Sequence, residues 1–126
     1  MNGRSVVDAS VVLAWLQDEP GADAAEPMLM EGVIGAANWS EVLQKSKQAN
    51  ADPEQVARLL TSFGLEVADV TERDGARAAG LWRRGSLLSL ADRLCLAVAE
   101  RLELPVATTD AAWQTSGAPA AITLIR

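Results

Sequence analysis

Residues 89–110 read S-L-A-D-R-L-C-L-A-V-A-E-R-L-E-L-P-V-A-T-T-D. Ala91, Leu94, Cys95, Val98 and Leu102 recur at helical spacing, which predicts a helix over residues 89–102. Pro105 then opens a short apolar run with β-branched residues, which predicts a strand over residues 105–109 that delivers the chain directly to Asp110. A buried helix feeding a short apolar strand with an acid at its carboxyl end is the unit of a parallel sheet, and the rest of the chain repeats it.

Towards the amino end, Arg4-Ser5-Val6-Val7-Asp8 predicts a buried first strand, followed by a helix over residues 11–17 with Val12, Trp15 and Leu16 on one side. Asp18-Glu19-Pro20-Gly21 is a break. A helix over residues 22–30 contains Pro27, which removes one backbone donor. A strand over residues 33–37 precedes a helix over residues 39–50. Asp52-Pro53 predicts a cap and first helical residue, with Val56, Leu59, Leu60 and Phe63 as the inner face. A strand over residues 65–70 leads to a helix over residues 71–83, whose inner face is expected to be the small residues Ala76, Ala79 and Gly80. Arg83-Arg84-Gly85-Ser86 is a basic loop. Beyond Asp110, a helical turn over residues 111–114 and a strand over residues 121–125 complete the pattern. The alternation predicts an α/β fold: one domain over residues 1–126 with a central, mainly parallel sheet covered on both faces, a three-layer α/β/α arrangement. Ligands in such folds sit beyond the carboxyl ends of the strands.

Composition narrows the chemistry. The 126 residues contain no histidine and one cysteine, Cys95. Imidazole-based triads and zinc sites are therefore excluded, as is an internal disulfide. Cys95 sits in an apolar helical pattern and is expected to be a core residue. Nothing in the sequence has the length of a membrane span or the pattern of a signal peptide, so the expected location is cytoplasmic. The net charge of −6 opposes passive nucleic-acid binding, since attraction to phosphate needs a basic surface. Divalent cations held by carboxylates would reverse the sign of the local field.

The carboxylates are placed for this. Asp8 and Asp110 each follow a predicted strand, and Glu41 and Asp92 lie in the first turns of predicted helices, so all four fall at one edge of the sheet. Each also has an ordinary structural reading. Asp8 and Asp110 suit helix caps, and Asn38-Trp39-Ser40-Glu41 and Ser89-Leu90-Ala91-Asp92 both have capping-box spacing. Gathering four acids is costly without a cation, and Mg²⁺ and Mn²⁺ take oxygen ligands of this kind.

The motifs V-V-D-A-S (from Val6), W-S-E-V (from Trp39), L-S-L-A-D-R-L-C-L-A (from Leu88) and L-P-V-A-T-T-D-A-A-W (from Leu104) resemble, in order and spacing, a PIN-domain ribonuclease. More narrowly, they resemble the VapC-type toxin of a bacterial toxin–antitoxin pair. The resemblance covers essentially the whole chain and carries the family's four acids to Asp8, Glu41, Asp92 and Asp110. It implies Mg²⁺ or Mn²⁺ held chiefly by Asp8 and Asp92, with Asp110 completing the shell and Glu41 orienting water or binding a second ion. It further implies RNA as substrate, a small cognate antitoxin and a homodimer. Ser10 and Thr108 match hydroxyl residues often found beside the first and last acids, and Ala91 stands where relatives often carry glycine. Arg83, Arg84 and Arg93 are candidates for holding the RNA backbone, with a solvated loop and an ion pair as their structural alternatives. Trp15, Trp39, Trp82 and Trp113 are expected in the core or at interfaces.

Two rivals remain. A receiver domain shares the fold class and an acidic pocket, but it requires a lysine after a late strand. The only lysines here are Lys45 and Lys47, in the middle of the chain. A PIN module that processes RNA outside a toxin system, or only binds RNA or protein, is the alternative that presence of the four acids disfavours without removing.

Overall fold

The computed structural model describes residues 3–126. Five short strands form one sheet: β1 (Val6–Val7), β2 (Val33–Gly35), β3 (Glu66–Ala68), β4 (Val106–Thr108) and β5 (Ile122–Leu124). Their order is β3-β2-β1-β4-β5, and every neighbouring pair is parallel. Six helices connect and cover them: α1 (Ala9–Leu16), α2 (Ala22–Leu29), α3 (Ala36–Gln48), α4 (Pro53–Ser62), α5 (Glu72–Gly80) and α6 (Leu90–Leu102). A 3-10 helix (Ala111–Thr115) separates β4 from β5.

The pleat divides the apolar residues between two layers, because successive strand side chains point to opposite faces. Val7, Ile34 and Ala107 join Val11, Leu29, Val42 and Leu60 on one face. Val6, Val33 and Val106 join Cys95, Leu96, Ala99 and Trp113 on the other. The three central valines on that second face are paired in register and at most 1 % exposed. Each contributes about 1.5–3 kcal/mol of burial free energy. In α6, residues 95–99 are all buried. That is more than one stripe, because α6 lies between the sheet and α5, and Val98 also approaches Gly35 at the start of α3.

Side-chain caps set most helix starts. Asp8 caps α1, Asp52 caps α4 with Pro53 in the first turn, and Asp110 caps the 3-10 helix. Thr71 with Asp74, and Ser89 with Asp92, form full capping boxes at α5 and α6. Glu103, at φ 55°, ends α6 in the left-handed conformation.

Three expectations are corrected. The helix expected to begin at Trp39 begins at Ala36, so the Asn38–Glu41 capping box does not form: Asn38 lies inside α3 and Gly35 is the cap position. β2 is correspondingly short. On α5, Ala76, Ala79 and Gly80 face solvent, and the inner face is Asp74, Ala78 and the following Leu81. An acid on the inner face hid that face from an apolar periodicity. Burial is tolerated because Arg101 of α6 donates to both Asp74 oxygens, Nε to Oδ1 at 2.9 Å and Nη2 to Oδ2 at 3.0 Å. Finally, β3 holds only three residues, two of them exposed, at the edge of the sheet.

Candidate active site

The strand order reverses beside β1: the chain builds β2 and β3 on one side and β4 and β5 on the other. Such a switch point leaves a crevice beyond the strands' carboxyl ends. The chain places Asp8 at the end of β1 and Asp110 two residues after β4 on either side of it. Glu41 comes from the second turn of α3, and Asp92 from the first turn of α6. All four line one cleft of about 330 Å³.

Asp8 is the deepest, 4 % exposed. Its Oδ1 accepts from the Ser10 hydroxyl at 2.5 Å and the Val11 amide at 3.2 Å, and its Oδ2 accepts from the Thr108 hydroxyl at 2.8 Å. The Thr108 oxygen accepts the Asp110 amide at 3.1 Å, and the Ser10 oxygen accepts the Thr109 amide at 3.1 Å. Ser10 and Thr108 therefore tie the ends of β1 and β4 together through Asp8. Burial pushes the Asp8 pKa up from 3.8 to about 6, outweighing these hydrogen bonds, and the Asp92 charge adds to the rise.

Asp92 is half-buried. Its Oδ2 accepts the Ser89 amide at 2.9 Å, while its own amide donates to the Ser89 hydroxyl at 3.1 Å. Burial raises its pKa, and the charge of Asp110 raises it further, against the bonds to Ser89 and the charge of Arg93. The cap and the cleft-lining role thus coexist: one oxygen faces the helix end, and the residue still lines the cleft. Asp110 likewise accepts the Ala112 amide at 2.9 Å.

Glu41 is held differently. Asn38, 1 % exposed, donates through Nδ2 to Glu41 Oε1 at 3.1 Å and to the Ala91 carbonyl at 3.4 Å. It links Glu41 to the turn that carries Asp92. The Asn38 Oδ1 is buried without a hydrogen-bond partner. This role was hidden in the sequence, because Asn38 read as a cap. Lys45, one turn beyond Glu41, also lines the cleft, and the signal that points to it is only its i+4 spacing.

Arg93 turns away from the cleft: its Nη1 donates to the Ala78 carbonyl at 2.9 Å, so it joins α6 to α5, and no acid pairs with it among the described residues. Cys95 is fully buried, and burial followed by the charges of Asp8, Asp92 and Glu41 pushes its thiol well above the ordinary range. It is a structural residue.

The donor set suits a hard divalent cation. It is made entirely of carboxylates, and burial, with a smaller addition from the neighbouring acids, makes Asp8 and Asp92 costly to ionise without a cation. Among the described residues no three acidic side chains converge tightly enough to form a ready-made cage. Such a site suits an ion that keeps several waters.

This is an open, parallel α/β protein with an acidic cleft at its switch point. The PIN-domain family model matches residues 5–116, and the chain belongs to that family, whose members are nucleases. No curated protein matches it in sequence. Several solved structures share its fold. A toxin–antitoxin complex from Klebsiella pneumoniae contains a chain 22 % identical, with a TM-score of 0.74 over 94 % of this chain and 96 % of that one. VapBC2 from Rickettsia felis, bound to a DNA fragment from its promoter, superimposes with a TM-score of 0.73 at 13 % identity, covering 98 % and 99 %. VapC20 from Mycobacterium tuberculosis, a toxin that cleaves the sarcin–ricin loop, gives 0.70 at 14 % identity, covering 89 % and 94 %. No helix among the described residues is long and apolar enough to cross a membrane.

Proposed function

We propose that residues 1–126 form a single cytoplasmic PIN nuclease domain, a divalent-metal-dependent endoribonuclease that acts as the toxin of a toxin–antitoxin pair. The observation that carries this is that Asp8, Glu41, Asp92 and Asp110 all line one cleft, in a chain that lacks histidine. Asp8 and Asp92 would hold Mg²⁺ or Mn²⁺, with Asp110 completing the shell. Bound there, the ion supplies Lewis acidity for the phosphoryl oxygen and acidifies water. Glu41, steadied by Asn38, orients the attacking water and accepts its proton. Asp8 and Asp92 must be ionised to bind the cation, so the burial that raises their pKa also makes binding proton-linked. In-line attack on an RNA phosphodiester leaves a 5′-phosphate and a 3′-hydroxyl without a covalent enzyme intermediate.

The toxin assignment is supported by likeness to solved toxins over nearly the full length of both chains. An apolar surface supports a partner. Trp15, Trp39, Val56 and Phe63 are only partly buried against the core, and Leu59, expected on the inner face of α4, is instead exposed. Trp15 and Phe63 meet edge to face at 5.1 Å. This side suits an amphipathic antitoxin helix, whose basic residue would enter the acidic cleft, or the second protomer of a homodimer. Incubation of purified protein with total RNA, with Mg²⁺ or with EDTA, tests the activity. Cleavage in Mg²⁺ that EDTA stops is expected, and undiminished cleavage in EDTA overturns the mechanism. Expression alone should arrest growth, and the neighbouring reading frame should restore it. Light scattering should report about twice the 13.3 kDa chain mass.

A further inference from the structure

An acidic nuclease still has to hold a polyanion, so the cations without a carboxylate partner locate the substrate track. Among the described residues, Lys45, Lys47, Arg58, Arg73, Arg83, Arg84 and Arg93 make no ion pair, and Arg93 is engaged with the Ala78 carbonyl. Lys47, Arg58 and Arg73 line neither the acidic cleft nor the pocket beside it. Lys45 lines the cleft, and Arg83 and Arg84 line that neighbouring pocket, of about 320 Å³.

The pocket adjoins the cleft through two chain segments. Leu88 lines the pocket and leads through Ser89 to Asp92 of the cleft, and Ala112 lines the pocket two residues after Asp110. The 3-10 helix Ala111–Thr115 is the wall between them: Trp113 borders the cleft, and Ala112 and Thr115 border the pocket. Arg83 is seated there by Gly117. The glycine has φ +76°, and the guanidinium occupies the space a side chain at that position would take. Arg84 lies over the Trp82 ring, 5.7 Å from its centroid. Trp82 alone of the four tryptophans is exposed, at 54 %. Two unpaired guanidinium groups beside an exposed indole are the elements of a single-strand site, where cations meet phosphates and bases stack on aromatic faces.

We propose that the pocket at Arg83 and Arg84 is a second, metal-independent subsite for single-stranded RNA. There the phosphates next to the scissile one are held by the two arginines, and a neighbouring base stacks on Trp82. This rests on the nuclease reading and adds to it: the four acids perform the chemistry, and the basic pocket sets where along the strand it happens.

The test is fluorescence anisotropy with a labelled, random-sequence single-stranded RNA 20-mer and full-length protein, in EDTA, from 50 to 200 mM salt. Removing two phosphate contacts in Arg83→Ala/Arg84→Ala lowers the logarithmic salt slope by about 1.4 and the affinity about 25-fold at 0.1 M salt. The double lysine variant keeps the slope, Trp82→Ala loses about tenfold with the slope unchanged, and Arg73→Ala, on another face, changes neither. All these residues but Trp82 are exposed cations whose replacement leaves the core intact, and thermal melts verify this. An unchanged slope in the double alanine variant while wild type cleaves total RNA overturns the subsite alone. Absence of both RNA binding and cleavage in wild type overturns the nuclease reading with it. Unchanged RNA binding with a shift in mass by light scattering assigns the patch to an interface between copies, and also overturns the subsite.

Discussion

Asp8→Asn in metal-free buffer gives a direct measure of what the cleft does to its own carboxylates. Burial holds Asp8 near pKa 6 in the folded protein, against 3.8 for an exposed aspartate. At about 1.4 kcal/mol per pH unit, ionising it in the fold costs about 3 kcal/mol at neutral pH. Because the folded pKa is raised, the folded state binds the extra proton. Stability from this group is complete below 3.8 and is lost as pH rises through about 6. Asparagine removes the titration and keeps an oxygen for the Ser10 and Val11 donors, but it loses the ionic acceptor for Thr108. That loss costs roughly 1.5–3 kcal/mol and depends little on pH above 6. The absolute stability of the variant is therefore close to wild type at neutral pH. Its pH dependence is the decisive quantity. The stability of Asp8→Asn relative to wild type should rise by about 2 kcal/mol between pH 4.5 and 7.5, measured by urea denaturation in EDTA. A difference that stays flat across that window would refute the claim that burial opposes ionisation. Added Mg²⁺ should erase the wild-type penalty and leave the variant unchanged.

Three further outcomes follow from the geometry. Asp92→Asn should abolish Mg²⁺-dependent cleavage while changing apo stability by no more than about 1 kcal/mol, because the amide oxygen can keep the Ser89 bond while the repulsion from Asp110 is relieved; a melting scan and a cleavage gel read the two effects. Arg101→Met should cost about 3 kcal/mol, since it strands the 2 %-exposed Asp74, and a loss within experimental error would show that water reaches that acid. Burial opposes ionisation of Asp74, but the Arg101 and Thr71 bonds lower its pKa overall, so the pair's contribution should be present above pH 4 and fade as pH falls through the folded value. Asn38→Ala should lower kcat about tenfold or more with little change in KM, since it frees Glu41 and releases the link to the turn that carries Asp92; a change confined to KM would assign Asn38 to substrate binding instead.

Sequence periodicity was enough for the layered fold, because it reports which side of an element meets apolar neighbours. Val6-Val7, Val33-Ile34 and Val106-Ala107 alternate between two cores as the pleat requires. The order of strands and helices then forces the residues after β1 and β4 to the same edge, so Asp8 and Asp110 were legible as neighbours before any coordinate. Local rules failed where a residue answers to something far away in the chain. Asn38 looked like a cap, but the helix starts three residues earlier than Trp39, and its amide spans to Ala91 on another helix. Ala76, Ala79 and Gly80 looked inward-facing, but Asp74 takes that side because Arg101, 27 residues on, neutralises it. Arg93 turns to Ala78 and Arg83 settles over Gly117, choices set by space and by unpaired carbonyls that no spacing rule records. The order of elements, the sheet edge and the four acids that reach it could be read from the chain alone, because hydrophobic patterning and chain direction are local. The raised pKa of Asp8, the support of Glu41 and the placing of the cations came only with the folded chain, because desolvation and pairing depend on neighbours that folding brings together.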